Sequence, residues 1–194
     1  MRDMEIRGAG NLLGSQQHGF ITAVGFDLYC RLLEEAVREL KGEHVEPDVE
    51  PDIKIGVTAY IPDDYIPDTD MKMEFYQRLA AARRIVDLLA VKEEMADRFG
   101  RPPFQVTSLL NIMEIKIMAR QGGLDAVQLE KSRFRMIFPQ DLQVTPADIQ
   151  RLVERSSTEL EFNITDRLVI ETFIRASDEQ ERLEKARNIV EEIL

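Results

Sequence analysis

The sequence predicts a mixed α+β domain of roughly 150 residues preceded by a helical and loop appendage. Three observations lead to that class. Segments of strict apolar/polar alternation, the mark of half-buried strands, recur at separated places. Between them run stretches with apolar residues every three or four positions, the mark of amphipathic helices. The chain of 194 residues is 44% hydrophobic and 31% charged, enough apolar material to bury a core.

The elements follow in order. From Phe26, the residues Tyr29, Leu32, Leu33, Ala36, Val37 and Leu40 make one apolar stripe, with charged residues between them and Gly42 placed to end the helix. The link EHVEPDVEPD resists regular structure because of Pro47 and Pro51. The division falls there, into residues 1–45 and 46–194. Ile53, Ile55, Val57, Ala59 and Ile61 alternate with Lys54, Gly56, Thr58 and Tyr60, which predicts a strand ending at PDDYIPD. MKMEFYQRLAAARR is a helix by its Met71, Phe75, Leu79 and Ala82 spacing. A second runs from about Asp87 to Phe99, with Leu88, Val91, Met95 and Phe99 inward and Gly100 at its end. A third carries Val106, Leu109, Leu110, Met113 and Ile117 and stops at Gly122-Gly123.

Beyond that glycine pair the period shortens. Val127 to Phe138 reads as one strand, since Phe134, Met136 and Phe138 alternate with Arg133 and Arg135. Thr145-Pro146 is an N-cap with proline at the first helical position, opening a short helix through Val153. Two alternating runs, around Leu160–Ile164 and Leu168–Ile174, predict a β-hairpin. Ser177 with Gln180 forms a capping-box signal for a last helix with Leu183, Val190 and Leu194 on one side.

Composition also excludes. The net charge of −11, from 25 basic and 36 acidic residues, argues against binding nucleic acid by this piece alone, because duplex binding rests on neutralising phosphates. An acidic domain fits a basic protein surface, or is simply well solvated. Mean hydropathy is −0.26, and no run approaches the ~18 apolar residues of a membrane span. With no apolar leader and a single cysteine, Cys30, a cytoplasmic location without a membrane partner is expected. One cysteine and two scattered histidines offer no metal-ligand spacing. No phosphate-binding GxxxxGK[ST] occurs, and Gly8, Gly10 and Gly14 have the wrong spacing for a dinucleotide loop. Asp63-Asp64 lies in a proline-bounded turn and reads as solvated. No complete active site is present, so neither a catalytic residue nor a cofactor is expected here.

The opening DMEIRGAGNLLGSQQHG resembles the segment that follows the second RecA-like motor lobe in the RecG and transcription-repair coupling factor (Mfd) families, where it ends a translocation motif. Downstream, AYIPDDYIPD, MKMEFYQRLA and EEMADRFGRPP resemble the C-terminal TRCF domain of the second family. The resemblance implies a C-terminal fragment of a longer ATP-dependent DNA translocase, a hydrolase whose ATP and magnesium belong to the parent motor. It also implies that Arg7, in IRGAG, and Gln17, in LLGxxQ, couple ATP hydrolysis to DNA movement, with Gly8 and Gly10 shaping the turn. Arginine suits a carboxylate or phosphate, and glycine permits turns that a Cβ makes costly. From spacing alone, the favoured reading is that Arg7 pairs with Glu5 or Asp3 and the glycines merely shape a loop. This chain reads Gln17-His18-Gly19 where relatives often carry QSG.

For the domain itself the resemblance implies regulation. It would dock on the UvrA-binding module of the same parent chain and mask it until the motor engages stalled RNA polymerase on double-stranded DNA, after which UvrA and excision repair are recruited. Glu94 and Asp97 are the interface residues by motif match, three apart and so on one helix face. Read without the family, they form a solvated face with Arg98 or Lys92 as local partners. A second functional reading makes the domain a passive cap, with function only in the translocation motif.

Overall fold

Residues 50–194 are described in the computed structural model. The helix expected from Phe26, the boundary at residue 45, and Arg7, Gly8, Gly10 and Gln17 lie outside the described residues. The elements are β1 (Asp52–Ile55), α1 (Thr69–Ala81), α2 (Ile85–Phe99), α3 (Phe104–Gln121), β2 (Ala126–Glu130), β3 (Arg133–Ile137), α4 (Pro146–Arg155), β4 (Glu161–Ile164), β5 (Leu168–Phe173) and α5 (Glu179–Ile193). This is the α+β class read from the sequence.

The five strands form one sheet in the order β1-β2-β3-β5-β4. β1 runs parallel to β2, which needs a crossover; α1, α2 and α3 supply it. The other pairings are antiparallel. Register puts Ile53, Val127, Met136, Ile170 and Phe162 in one row, and Ile55, Leu129, Phe134 and Thr172 in the next. Both rows belong to the inner face, whose central members are fully buried. The outer face carries Lys54, Gln128, Arg135, Glu171 and Glu161 across the same strands. Buried helical side chains, among them Phe75, Leu79, Leu88, Met95, Leu109, Met113, Leu183 and Val190, share one apolar cluster with the inner face.

α3 is the central helix. Ten of its residues are buried, on more than one side, so it lacks the single apolar stripe of a surface helix. Glu114 is among them at 8% exposure, and Arg187 of α5 answers it with a 3.0 Å ion pair.

Several expectations are corrected. β1 ends at Ile55 rather than Ile61 because its partner turns away: the Gly56 N–H reaches Leu129 O at 3.5 Å, and β2 finishes one residue later. The alternation persists as burial, with Ala59 and Ile61 inside, but the Ile61 N–H is taken by the Tyr76 hydroxyl of α1 at 2.8 Å. The single strand expected over Val127–Phe138 is a hairpin. Its two-residue connection, Lys131-Ser132, holds Lys131 at φ 53 with no glycine or asparagine to announce the turn. The N-cap of α5 is Asp178, not Ser177; Asp178 accepts from the Glu181 N–H, and Ser177 donates to the Glu181 carboxylate from both its N–H and its hydroxyl. Leu194 is 40% exposed, and Ala186, Ile189 and Ile193 fill the buried side of α5 instead. The Thr145 capping box at α4 is present, with Asp148 as its reciprocal partner.

Candidate interaction face on the first two helices

The sequence places Glu94 and Asp97 near the end of α2, and the local chain fixes that end firmly. Gly100 closes the helix at φ 82 and ψ −165, a backbone region that only glycine adopts cheaply. Its N–H donates to Ala96 O at 2.9 Å. The Tyr65 hydroxyl lies between two carbonyls, Met95 O at 3.1 Å and Gly100 O at 3.0 Å. Burial pushes the Tyr65 phenol above its ordinary pKa. The Phe99 ring meets Tyr65 edge-on at 5.8 Å and Phe75 at 5.7 Å, so the IPDDYIPD turn, α1 and the α2 terminus form one aromatic joint.

Two arginines lie over that joint. Arg78 of α1 sits 5.4 Å from the Phe75 ring centre, while Arg98 sits 5.6 Å from Phe75 and 5.3 Å from Phe99. Between them is Glu94, which accepts from Arg78 Nη2 at 2.6 Å and from Arg98 Nη1 at 2.8 Å. Hydrogen bonds from Arg78, then Arg98, hold the Glu94 carboxyl down at about 2. Arg98 was foreseen as a local partner of Glu94; Arg78 was not, because it comes from another helix. Lys92 is not a partner.

Asp97 differs. It is exposed and makes no hydrogen bond or ion pair among the described residues, and the same holds for Glu93 one turn earlier. The structure therefore separates the two predicted interface residues: Glu94 is clamped against α1, and Asp97 faces outward. Glu93 escaped sequence reasoning, although its spacing of four from Asp97 puts it on the same row.

A second charged cluster ties β1 to the helices. Glu50 pairs with Arg83 at 2.5 Å and Lys116 at 2.8 Å, beside a cleft of about 10 Å³ lined by Ala80, Ala82, Met113 and Ile117. Burial raises the Glu50 carboxyl, but Lys116 and Arg83 outweigh it and leave the group below its ordinary value. The cleft has room for little more than one water and no substrate. Asp63 of the proline-bounded turn pairs with Lys72. Among the described residues, no three His, Cys, Asp or Glu side chains are grouped to hold a metal. No described helix is long and apolar enough to cross a membrane.

Comparison with known proteins bears on the domain that carries this face. Residues 55–149, which take in β1's last residue through the first turn of α4, match the family described as TRCF domain. The transcription-repair-coupling factor of Bacillus subtilis (strain 168) is 41% identical over 155 residues, covering 79% of this chain and 13% of that protein. Proteins of the same description from Staphylococcus epidermidis and Staphylococcus aureus (strain USA300) are 47% identical over 130 residues and 46% identical over 132, each covering 66% of this chain and 11% of the relative. The chain thus spans only 11% to 13% of the length of these relatives. A solved structure, the crystal structure of the C-terminal domain of a transcription-repair coupling factor, superposes with a TM-score of 0.65 at 22% identity, covering 74% of this chain and 91% of that one. At that identity the likeness speaks for the fold.

Proposed function

This chain belongs to the transcription-repair coupling factor family through its TRCF domain, and from that premise we propose that it is the regulatory C-terminal part of an ATP-dependent DNA translocase. In this reading the domain does no chemistry. It docks on the UvrA-binding module of the same parent chain, at the end of α2 around Glu94 and Asp97, and masks that module. Engagement of stalled RNA polymerase and double-stranded DNA by the parent releases the contact, and UvrA is then recruited for excision repair in the cytoplasm. The ATP and magnesium chemistry belongs to the parent motor, with Arg7 and Gln17 of the translocation motif, shaped by Gly8 and Gly10, passing the nucleotide state to DNA movement.

The observation that carries the reading is the unpaired acidic row at the α2 terminus, mounted on a rigid aromatic joint. A helix end tied down in this way presents its acidic side chains from a defined place, which favours recognition of a basic surface. Exposed ion pairs contribute roughly 0–1 kcal/mol each, so the docked state is weak by itself. A tether within one chain raises the effective concentration to about millimolar, which lets a weak contact prevail until something competes with it.

The test is the association of this chain with the isolated UvrA-binding module of its parent, measured by titration calorimetry at low and high salt. Binding that weakens with salt, and that Asp97→Arg weakens at least about fivefold, is the expected result. No association between two folded partners at any salt would sink the masking role.

A further inference from the structure

Arg98 makes one contact beyond the aromatic rings and Glu94. Its Nη2 donates to the Met71 sulfur at 3.1 Å, while its Nη1 donates to Glu94 at 2.8 Å. The guanidinium thus bridges the first turn of α1 and the last turn of α2. Met71 is held for this contact from below. It is the third residue of α1, and its N–H donates to the capping Asp68 carboxylate at 2.8 Å, which fixes the backbone that carries the sulfur. A thioether is a weak acceptor, and chemistry changes it readily: methionine takes up one oxygen to become a polar sulfoxide, and reductases remove it. Access divides the described methionines. Met95, Met113 and Met136 are buried, whereas Met71, Met73 and Met118 are covered only in part. Of those three, Met71 shares its arginine with an ion pair.

We propose that Met71 is an oxidation switch in the joint between α1 and α2: converted to its sulfoxide by a hydroperoxide, it draws Arg98 away from Glu94 and loosens the clamp, and reduction restores it. In the oxidation step a sulfur lone pair attacks the terminal oxygen of the hydroperoxide, and the O–O bond breaks. The proton of that oxygen passes to the departing one, which leaves as water or an alcohol. Sulfur loses two electrons and the peroxide gains them. The oxidised sulfur then carries positive partial charge and no longer suits a guanidinium at 3.1 Å. Its new oxygen carries the matching negative charge and is a much stronger acceptor than the thioether. Arg98 has one planar fork to share, so turning it to the sulfoxide costs Glu94 one of its two guanidiniums. Arg78 keeps the other, at 2.6 Å. The switch acts on the joint alone and is independent of masking.

The experiment exposes the full chain to graded hydrogen peroxide, locates added oxygen by peptide mass spectrometry and follows thermal melting. Met71 should gain oxygen while Met95, Met113 and Met136 do not. Tm should fall by about 2–4 °C, and methionine sulfoxide reductase should reverse the fall. The Glu94 carboxyl, now at about 2, should move back toward 4.5 once Arg98 leaves it. It then contributes less stability above pH 4.5, so the decline in Tm from there to about pH 2 should become shallower. A general loss of packing lowers Tm without flattening that limb. Met71→Leu, a swap of similar volume, should melt alike with and without peroxide, and Met71→Gln should resemble the oxidised chain with no peroxide added. Oxygen on Met71 with Tm and the acid limb unmoved would overturn the switch. An equal response in Met71→Leu would overturn it too, by assigning the effect to Met73 or Met118. Oxygen that reaches Met71 only together with the buried methionines would do the same, since it would mark oxidation of the unfolded chain.

Discussion

At Glu94 two guanidiniums from different helices share one carboxylate, and the consequence is a pH dependence that can be measured. Its carboxyl titrates at about 2 in the folded chain against an ordinary value of 4.5, owing first to Arg78 and then to Arg98. A depressed carboxyl stabilises the fold fully above its unfolded pKa and loses that contribution as pH falls toward the folded value. Thermal melting should therefore show a decline between about pH 4.5 and 2 that is shallower in Glu94→Gln. Glu181, held at about 2 by Lys185 and then Ser177, contributes in the same window, so the decline is reduced but not abolished. An identical acid limb in Glu94→Gln would mean that the clamp does not hold in solution. Glu94 and Asp97 stand out only through the family motif; their spacing alone reads as a solvated helix face. Their partition into one clamped and one free acid was not legible, because Arg78 lies sixteen positions away and joins only through the packing of α1 on α2.

Elements whose boundaries carry local chemistry were readable, and those set by distant partners were not. Thr145-Pro146 encodes its own cap, and Gly100 and Gly122 stand where α2 and α3 stop. By contrast, the end of β1 is fixed by where β2 turns, and the β2–β3 turn uses Lys131-Ser132, residues without a turn signature. α3 is the other instance: burial around most of its circumference brings Glu114 inside, where only the fold supplies Arg187. Removing the arginine leaves a buried carboxylate short of its partner, while removing both leaves an apolar contact between α3 and α5. Arg187→Leu should cost about 1–3 kcal/mol in urea unfolding, and Glu114→Leu/Arg187→Leu should recover much of that loss. Equal stability for the two variants would show that water, not Arg187, satisfies Glu114.

On the scale of the whole molecule, the proposed role acts by occupying a surface, and a mask has a definite signature in its parent. If docking hides the UvrA-binding module, breaking the dock must raise UvrA binding without any new contact to UvrA. The two binding events compete for one surface, so the gain is limited by how strongly the docked state is favoured. Tethering at about millimolar effective concentration against a weak contact gives a modest preference, and release should improve apparent UvrA affinity by roughly tenfold rather than by many orders. The experiment is Glu94→Arg/Asp97→Arg in the full-length parent, with UvrA binding read by pull-down and calorimetry and motor ATPase read in parallel. Increased UvrA binding is the expected outcome, and it should be matched by deletion of residues from about 50 onward. If both changes leave UvrA binding as it was, the domain is a passive cap, and the functional residues of this chain reduce to those of the translocation motif. Arg7→Ala then becomes the informative variant, since a coupling arginine should cost more DNA translocation than ATP hydrolysis, whereas one that merely shapes its loop should lower the two together.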